Sequence, residues 1–367
     1  MGDVRVIPVD GPDSVTDLAT ALRAALTGGP AVLPVSATDP RRAALVAHLA
    51  PDHPVEPDTA LIIATSGSTG EPKGVLLSAS ALVASATATH TRLGGPGRWL
   101  LTLPAHHVAG AQVIVRSLLA GHDPVVREGS FATAAARLFE NPGPYYTSLV
   151  PTQLLRLLDE PTLLGFDAVL VGGAAASPAL VARARAAGIR VVTTYGMSET
   201  AGGCVYDGRP LDGVSVRVVG GEIRIAGPTL ANGYRRGARF GPWFRTGDLG
   251  TVHPDGTLTV HGRADTVINT GGVKIAPAAV ENALTAREDV AEVCVVAVPD
   301  EEWGDLVAAA VVPADPGHPP RVEALQETVR TVLGGQAVPR LVRFVPDLPL
   351  RGPGKIDHSA VRTLLTG

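Results

Sequence analysis

Apolar residues follow two different periods along this chain of 367 residues. Between about residue 60 and residue 200, short runs rich in branched apolar residues predict buried strands, and stretches with an apolar residue at every third or fourth position predict helices. Such alternation is typical of a largely parallel sheet with helices on its faces. Ligands in such folds bind beyond the carboxyl ends of the strands, where loops over residues 172–176 and 194–200 are expected. In this region the predicted strands are 60–64, 98–103, 146–150, 166–171 and 189–193, and the predicted helices are 78–92, 109–120, 151–158 and 177–187. A helix at 14–26 and a strand at 31–35 are predicted before it.

The alternation of predicted strands and helices ends after about residue 200. Short strands separated by glycine turns indicate a small antiparallel, barrel-like β subdomain, and a loop-rich passage then leads into a small α+β domain. The predicted fold class is therefore α/β, with a large N-terminal domain over 1–263 and a small C-terminal domain over 264–367. The elements predicted in this part are strands 214–219, 222–226, 256–261, 291–298 and 306–312 and helices 278–284 and 322–333.

Composition excludes several classes of protein. Hydrophobic residues make up 45% of the chain and charged residues 18%, which suits a large core and is far from a disordered composition. A net charge of −4 does not indicate a protein that binds nucleic acid. Cys204 and Cys294 stand far apart, so neither a disulfide framework nor a cysteine zinc site is indicated, and a reducing cytoplasm fits. Without a signal peptide or a long apolar run, we expect a cytoplasmic protein with no membrane span.

Residues that could bind a ligand are most concentrated at 65–75, Thr-Ser-Gly-Ser-Thr-Gly-Glu-Pro-Lys-Gly-Val. Glycines let the backbone approach a phosphate closely, hydroxyl groups donate hydrogen bonds, and Lys73 adds a positive charge. Between a predicted strand and a predicted helix, the segment is expected to cradle phosphate groups. It is not a Walker loop, because the spacing differs and Pro72 removes an N–H that a P-loop helix would donate. The alternative interpretation is a solvated turn of serine and glycine.

Further segments decide between these interpretations. They are residues 104–110, 171–174, 194–200, 245–250, 262–265, 271–277 and 348–356. In order and spacing, these segments together with 65–75 resemble the core motifs of the adenylate-forming superfamily of acyl-CoA ligases, adenylation domains and luciferases. The resemblance covers roughly residues 58–367, and less sequence precedes the phosphate loop than this family usually carries, which predicts a reduced first subdomain.

The resemblance implies an enzyme that uses ATP, Mg²⁺ and coenzyme A to convert a small carboxylic acid first into an acyl-adenylate and then into a thioester. Lys355 is expected to bridge the acid and the α-phosphate as a catalytic residue. Glu199 and Thr69 are expected to hold Mg²⁺, a hard cation that prefers oxygen ligands. The residues implied to bind ATP or AMP are Thr65, Ser66, Gly67, Ser68, Thr69, Gly70, Lys73, Gly173, Ala174, Thr194, Tyr195 (adenine), Gly196, Met197, Ser198, Thr200 (α-phosphate), Asp248 (ribose) and Arg263.

The resemblance also assigns residues to the acyl and CoA steps. His107 is expected to be a second catalytic residue that lines the acyl pocket, as a gate between the acyl and CoA channels. Asp265 is expected to be a hinge about which a mobile C-terminal domain rotates after adenylation, which withdraws Lys355 and brings a glycine loop to the site. The loop residues are Gly271, Gly272 and Lys274.

Arg116 bears on the choice of acid, because it lies nine residues after His107 in a predicted helix that is otherwise apolar. Such an arginine is usually either a surface residue with its stem along apolar neighbours or a paired buried charge. The spacing resembles that of an arginine in the o-succinylbenzoate–CoA ligases of menaquinone biosynthesis, whose acid carries a second carboxylate. The resemblance therefore implies o-succinylbenzoate as the acyl substrate.

Three alternatives come from different classes. They are a ligase for another small aromatic or aliphatic acid, a stand-alone adenylation enzyme that loads a carrier protein, and a non-catalytic nucleotide-binding scaffold. The presence of Lys355, Glu199 and Asp248 together argues against the scaffold. The expected partners are a carboxylic acid, ATP and CoA, without nucleic acid or membrane, and a homo-oligomer is left open.

Overall fold

The structure, a computed structural model, describes residues 3–66, 72–352 and 355–367, and only the backbone of residues 66, 351, 352 and 355. The chain forms two compact units. The first consists of Met1–Gly173, Ala184–Arg217 and Arg224–Phe244, and the second of Ala174–Arg183, Val218–Ile223 and Arg245–Gly367. The predicted boundary between residues 263 and 264 stays a prediction.

The described elements are ten α-helices and twenty-three strands, together with short 3₁₀ turns. The helices are α1 (Gly11–Ala25), α2 (Arg42–Leu49), α3 (Ala79–Leu93), α4 (Val108–Leu119), α5 (Phe131–Phe139), α6 (Pro151–Arg156), α7 (Pro178–Ala186), α8 (Pro277–Thr285), α9 (Val322–Leu333) and α10 (His358–Thr366). The strands are β1 (Val4–Val9), β2 (Ala31–Ser36), β3 (Leu61–Ser66), β4 (Pro72–Leu77), β5 (Arg98–Leu101), β6 (Val125–Val126), β7 (Tyr145–Leu149), β8 (Ala168–Val171), β9 (Val191–Met197), β10 (Gly202–Tyr206), β11 (Arg209–Pro210), β12 (Ser215–Val219), β13 (Glu222–Ala226), β14 (Gly233–Tyr234), β15 (Phe244–Val252), β16 (Leu258–Arg263), β17 (Ile268–Thr270), β18 (Val273–Ile275), β19 (Val290–Asp300), β20 (Gly304–Pro313), β21 (Leu341–Phe344), β22 (Leu350–Gly352) and β23 (Lys355–Ile356).

Two sheets of the first unit confirm the predicted α/β architecture. Their strand orders are β1-β2-β3-β4-β14 and β11-β10-β9-β8-β7-β5-β6. Strands β5 to β9 pair in parallel, and the register of β8 and β9 sets Val171 opposite Thr193. The carboxyl ends of these parallel strands therefore meet at one edge, and the segments that follow them carry the motif residues. Within the described ranges, all sheets are open rather than closed into a barrel.

The prediction of a strand, a loop and then a helix around the phosphate segment is wrong. β3 is followed by β4, which pairs with it antiparallel and sets Thr65 opposite Lys73. The reason is that residues 75–77 form a buried apolar run that completes the sheet, with Pro72 at the first strand position, where a missing N–H is tolerated. The helix begins only at Ala79, where the Ser78 hydroxyl caps it. The phosphate segment is therefore a β-hairpin, whose residues 67–71 lie outside the described ranges.

A second prediction to correct is the loop over residues 194–200. Residues 194–197 continue β9, because β10 pairs antiparallel with them, and a 3₁₀ turn at Ser198–Thr200 joins the two strands. The sequence pattern also misses α2, where only Leu49 is buried, and β15, whose Gly247 at a φ of 73° resembles a turn residue. For residues 194–197 and for β15, local pattern fails because a neighbouring strand holds the backbone extended, and for α2 it fails because almost no buried apolar face marks the helix.

The C-terminal part of the second unit confirms the predicted α+β domain. Its sheet has the order β18-β17-β20-β19, with β21 pairing parallel to β20. Helices α8 and α9 pack on one face through residues such as Leu284 and Leu325, and α10 packs on the other through Val361. Helix α9 has the predicted bounds. Across the described residues, none of the helices combines the length and the apolar character needed to cross a lipid bilayer.

Candidate nucleotide and acyl site

Two glycines bring the ends of β8, β9 and β10 together in the first unit. A Cβ added to Gly172 would lie 2.1 Å from Thr194 Oγ1, and one added to Gly196 would lie 2.1 Å from the carbonyl oxygen of Gly202. Glycine at these positions lets the Thr194 side chain approach the backbone at 172, and lets the backbones of β9 and β10 approach each other at 196. The structure thus brings the predicted nucleotide residues Gly173 and 194–198 to one edge of the sheet.

Thr200 is the most constrained residue of this edge. Its side chain is fully buried, and its hydroxyl accepts a hydrogen bond from the Met197 N–H at 2.9 Å and lies 2.8 Å from the Gly202 carbonyl oxygen. The next residue, Ala201, has a φ of 53°, in the left-handed region that few residues other than glycine adopt. The hydroxyl therefore shapes this turn, and it must release an internal bond in order to reach a phosphate.

Glu199 is held by a tyrosine that the sequence analysis missed. The Tyr234 hydroxyl donates to Glu199 Oε1 at 2.9 Å, and the Ala231 N–H donates to the Glu199 carbonyl at 2.9 Å. The Lys73 ammonium lies 5.1 Å from the centre of the Tyr234 ring, within cation–π range. Tyr234 is on β14, which pairs with β4, so the contact depends on sheet pairing and no local pattern reveals it. One tyrosine thus links the end of the phosphate hairpin to the predicted metal ligand.

The carboxylate of Glu199 fits a metal ion that arrives with a nucleotide. Magnesium is usually bound by one or two carboxylates together with substrate phosphates and water. Within the described ranges no group of three or more His, Cys, Asp or Glu side chains forms a site of its own. The other predicted ligand, Thr69, lies outside the described residues.

A cavity of about 310 Å³ lies beside the hairpin. Lys73, His48 and Arg236 contribute polar or cationic groups to its lining. The neighbouring Arg235 is buried and bound to Glu56 at 2.6 Å, so its charge is already compensated. The hairpin side of the first unit is therefore suited to anions.

His107 stands at the start of α4, where the predicted acyl pocket begins. The residue is exposed and occupies the N-cap position, and its ring lies 4.4 Å from that of His106. Burial lowers the pKa of His106 below the usual value for histidine. A Cβ added to Gly110 would lie 2.3 Å from the Pro104 carbonyl oxygen, so the first turn of α4 is held tightly against the segment before it.

Among the residues that the structure describes, Arg116 is neither exposed at the surface nor a member of an ion pair. It is 3% exposed, its Nη2 donates to the Tyr206 hydroxyl at 3.3 Å, and its guanidinium lies 5.0 Å from the centre of the Trp99 ring. Its Nε has no hydrogen-bond partner in the described part of the chain, and no described carboxylate pairs with it. Burial lowers the pKa of the guanidinium, which nevertheless stays charged at neutral pH. Both ordinary interpretations of this arginine are thereby excluded.

The second unit brings the predicted ribose and hinge residues together. Asp248 on β15 is opposite Arg263 on β16, and the Arg263 Nη1 lies 3.6 Å from Asp248 Oδ1. The same guanidinium donates to both carboxylate oxygens of Asp265, at 3.1 and 3.0 Å, which lowers the pKa of Asp265. Ala174 also belongs to this unit.

The predicted CoA loop is the tight turn between β17 and β18. Gly271 and Gly272 have φ values of 56° and 81°, as a two-residue hairpin turn requires. The Gly271 N–H donates to the Trp303 carbonyl at 2.9 Å, and Lys274 is exposed on β18. The backbone of Lys355 pairs with Gly352 in the β22–β23 hairpin, whereas its side chain lies outside the described ranges, as do Gly67, Ser68 and Gly70.

Comparison with known proteins matches these segments to one family. The family model of the AMP-binding enzyme matches residues 22–235, and that of the AMP-binding enzyme C-terminal domain matches residues 279–355. A protein of Mycobacterium tuberculosis named probable 2-succinylbenzoate–CoA ligase is 44% identical over 98% of this chain and 97% of its own length. The indoleacetate–CoA ligase of Aromatoleum aromaticum is 32% identical over 86% of this chain and 69% of its own length.

Among solved structures, the fold is similar to that of the o-succinylbenzoate coenzyme A synthetase of Bacillus subtilis in complex with ATP and magnesium ion. The TM-score is 0.82 at 23% identity, with 100% of this chain and 90% of the other covered. At this identity the likeness concerns the fold alone. The family model covers more than half of the chain, and the M. tuberculosis relative covers nearly all of it. The chain therefore belongs to the family of AMP-binding, adenylate-forming enzymes.

Proposed function

We propose that this protein is an ATP-dependent acid–CoA ligase whose acyl substrate is o-succinylbenzoate, also called 2-succinylbenzoate. The observation that carries the choice of acid is the buried guanidinium of Arg116, which has no carboxylate partner among the described residues and lies on α4, the helix that His107 caps. The names of relatives point the same way.

The first half-reaction activates the acid. An oxygen of the succinyl carboxylate attacks the α-phosphorus of ATP, the bond between the α-phosphorus and the bridging oxygen breaks, and pyrophosphate leaves. Glu199, oriented by the Tyr234 hydroxyl, would hold Mg²⁺, which neutralises phosphate charge when it is bound. Lys355 would bridge the carboxylate and the α-phosphate, where negative charge accumulates. Asp248, beside Arg263, would accept hydrogen bonds from the ribose hydroxyls.

The second half-reaction forms the thioester. The sulfur of CoA attacks the acyl carbon, the bond to the adenylate oxygen breaks, and AMP leaves. In this proposal residues 264–367 rotate about Asp265 between the two steps, and the turn at Gly271 then meets the acyl-adenylate together with Lys274. His107, exposed at the start of α4, would line the passage between the acid and the incoming thiol.

Arg116 explains why a dicarboxylate suits the pocket. The succinyl carboxylate reacts, so the carboxylate on the benzene ring must be buried as a spectator anion. An unpaired anion in a pocket is costly, and a guanidinium supplies a charge and a planar set of donors. In the absence of a described partner carboxylate, the substrate is the natural counter-ion.

A panel of carboxylic acids with ATP and CoA tests the proposal. Pyrophosphate release measures adenylation, and mass spectrometry identifies the thioester. We expect o-succinylbenzoate to give the highest kcat/KM, with benzoylpropionate, the analogue without the ring carboxylate, and indoleacetate far behind. A monocarboxylic acid as the best substrate would contradict the choice of acid, and transfer to a carrier protein in place of CoA would contradict the acceptor.

A further inference from the structure

Gln112, on α4, has an environment that the reaction described so far does not explain. Its side chain is completely buried, and neither Oε1 nor Nε2 has a hydrogen-bond partner in the part of the chain that the structure describes. Because both atoms lack partners, the conclusion holds whichever way the amide is turned. A buried amide with no partner destabilises a folded protein, and such groups are normally paired with protein, water or a ligand.

Gln112 lies one turn before Arg116 on the same face of α4, because residues four apart on a helix are neighbours. That face looks towards β10: a Cβ added to Gly202 would lie 3.5 Å from Gln112 Cγ, and Arg116 reaches the Tyr206 hydroxyl. Arg116 Nε also lacks a described partner. In the described part of the chain, these two neighbouring side chains thus hold three buried polar atoms without partners, on the side of α4 that faces β10.

In the described part of the chain, the residues around the Arg116 guanidinium offer no hydrogen-bond partner to its Nε or to the Gln112 amide. Trp99 lies against the guanidinium, and the Tyr206 hydroxyl is already engaged with Thr89 at 2.9 Å. Burial and the charge of Arg116 lower the pKa of His90 to about 4, so His90 is neutral at pH 7. These residues fix the guanidinium in place and leave its Nε and the Gln112 amide for another molecule.

We propose that Gln112 is a specificity-determining residue that binds, together with Arg116 Nε, the carboxylate that the acyl substrate keeps. The inference rests on the proposed function. The amide N–H donates to the spectator carboxylate, and Oε1 accepts from a water molecule that the same carboxylate binds. A monocarboxylic acid leaves the amide and the guanidinium unpaired, so the enzyme rejects it. Sites built to hydrogen-bond a polar group discriminate strongly against analogues that lack it.

Gln112→Met tests this inference, because methionine conserves the volume and removes both polar atoms. We expect kcat/KM for o-succinylbenzoate to fall by roughly 10- to 100-fold, the scale for the loss of a buried hydrogen bond to a charged group. Benzoylpropionate should be turned over as well as by the wild type or better. The melting temperature of the free enzyme should rise, since an unpaired amide is removed. If this variant does not fold, Gln112→Ala replaces it and is read by the ratio of kcat/KM on the two acids alone, because alanine leaves a cavity that lowers the melting temperature in any case.

A matched control is Gln153→Met at the start of α6. The Gln153 amide is paired on both sides, accepting from the Val150 N–H at 3.0 Å and donating to the Thr102 carbonyl at 3.3 Å. This variant should lower the melting temperature and reduce turnover of both acids by one common factor. If Gln112→Met behaves in the same way, Gln112 is structural and the inference is overturned.

The two proposals fail in different ways. If the wild type forms no thioester from o-succinylbenzoate, the proposed function fails by itself. The Gln112 variants are then compared on the best acid of the panel and on its analogue without the distal polar group. A rise in melting temperature with loss confined to the polar acid supports a polar subsite at Gln112. Equal loss on both acids, or no loss, overturns it.

Discussion

Replacing Arg116 with alanine separates a substrate-binding arginine from a structural one. If the guanidinium binds the spectator carboxylate, its removal leaves that buried carboxylate without a counter-charge. The activation free energy derived from kcat/KM then rises by about 2–4 kcal/mol. At 1.36 kcal/mol per tenfold, this is roughly a 30- to 1000-fold loss on o-succinylbenzoate. Benzoylpropionate lacks the anion, so it should be a poor substrate of the wild type and lose little more in the variant.

The contacts of Arg116 predict a different effect on stability. Its hydrogen bond to Tyr206, at 3.3 Å, and its contact with Trp99 contribute about 1 kcal/mol each. Against them stands the cost of burying a charge with no partner carboxylate among the described residues, which is several kcal/mol. We therefore expect the apolar variant Arg116→Met, which avoids a cavity, to leave the free energy of unfolding unchanged or higher while its activity falls.

Initial rates of pyrophosphate release on the two acids, with urea unfolding of each variant, measure both effects. The comparison of two substrates isolates the coupling between the side chain and the ring carboxylate from general damage to the helix. Arg92 on α3 offers a control, since its guanidinium donates to the Pro210 carbonyl at 2.7 Å, and Arg92→Met should affect both acids alike. If Arg116→Ala loses the same factor on both acids, the arginine is structural and the choice of acid loses its support.

Three further predictions concern other residues. Lys355→Ala should cut adenylation by several orders of magnitude, about 3–5 kcal/mol, and spare thioester formation from pre-made acyl-adenylate; equal loss in both half-reactions would refute its role. Tyr234→Phe frees the Glu199 carboxylate, so the Mg²⁺ concentration for half-maximal adenylation should rise roughly tenfold; an unchanged Mg²⁺ titration would exclude this positioning role. Burial raises the pKa of Glu281 from 4.5 to about 7, so its stabilising contribution is complete below about pH 4.5 and is lost as the pH rises through 7. The free energy of unfolding of the wild type should fall between about pH 5 and pH 8, and Glu281→Gln should make that fall smaller by roughly 1–3 kcal/mol. If urea unfolding gives the same pH dependence of this free energy for mutant and wild type, the prediction is refuted.

Elements that are fixed by interactions between near neighbours in sequence are predictable from pattern, whereas elements that depend on distant parts of the chain are not. Helix α9 was predicted with its bounds because its apolar face recurs at helical spacing over three turns, and the parallel strands were found from their branched apolar runs. Strand β4 was missed because its first half, Pro-Lys-Gly, reads as a turn, and only pairing with β3 makes it extended. Tyr234 was missed for the same kind of reason, since its partner Glu199 is 35 residues away in sequence.

Arg116 shows a different limit. The sequence placed it in an apolar helix and gave its distance from His107, but two ordinary explanations, a solvated head or a partner carboxylate, were both compatible with that pattern. Only tertiary structure decides whether a charged side chain in such a helix is exposed, paired or alone. Burial beside Trp99 and Tyr206, with no ion pair among the described side chains, removed both explanations.

The charge balance around Arg116 then explains how the proposed pocket selects its acid. With His90 neutral at pH 7, Arg116 contributes a single positive charge in a buried environment. A bound acid with one spectator carboxylate neutralises that charge, whereas a monocarboxylic acid, once its only carboxylate is adenylated, leaves it uncompensated. Because an unmatched buried charge costs several kcal/mol, the free enzyme bears a cost that only the dicarboxylate relieves. Selectivity in this pocket therefore comes from the instability of the empty site as much as from attraction to the ligand.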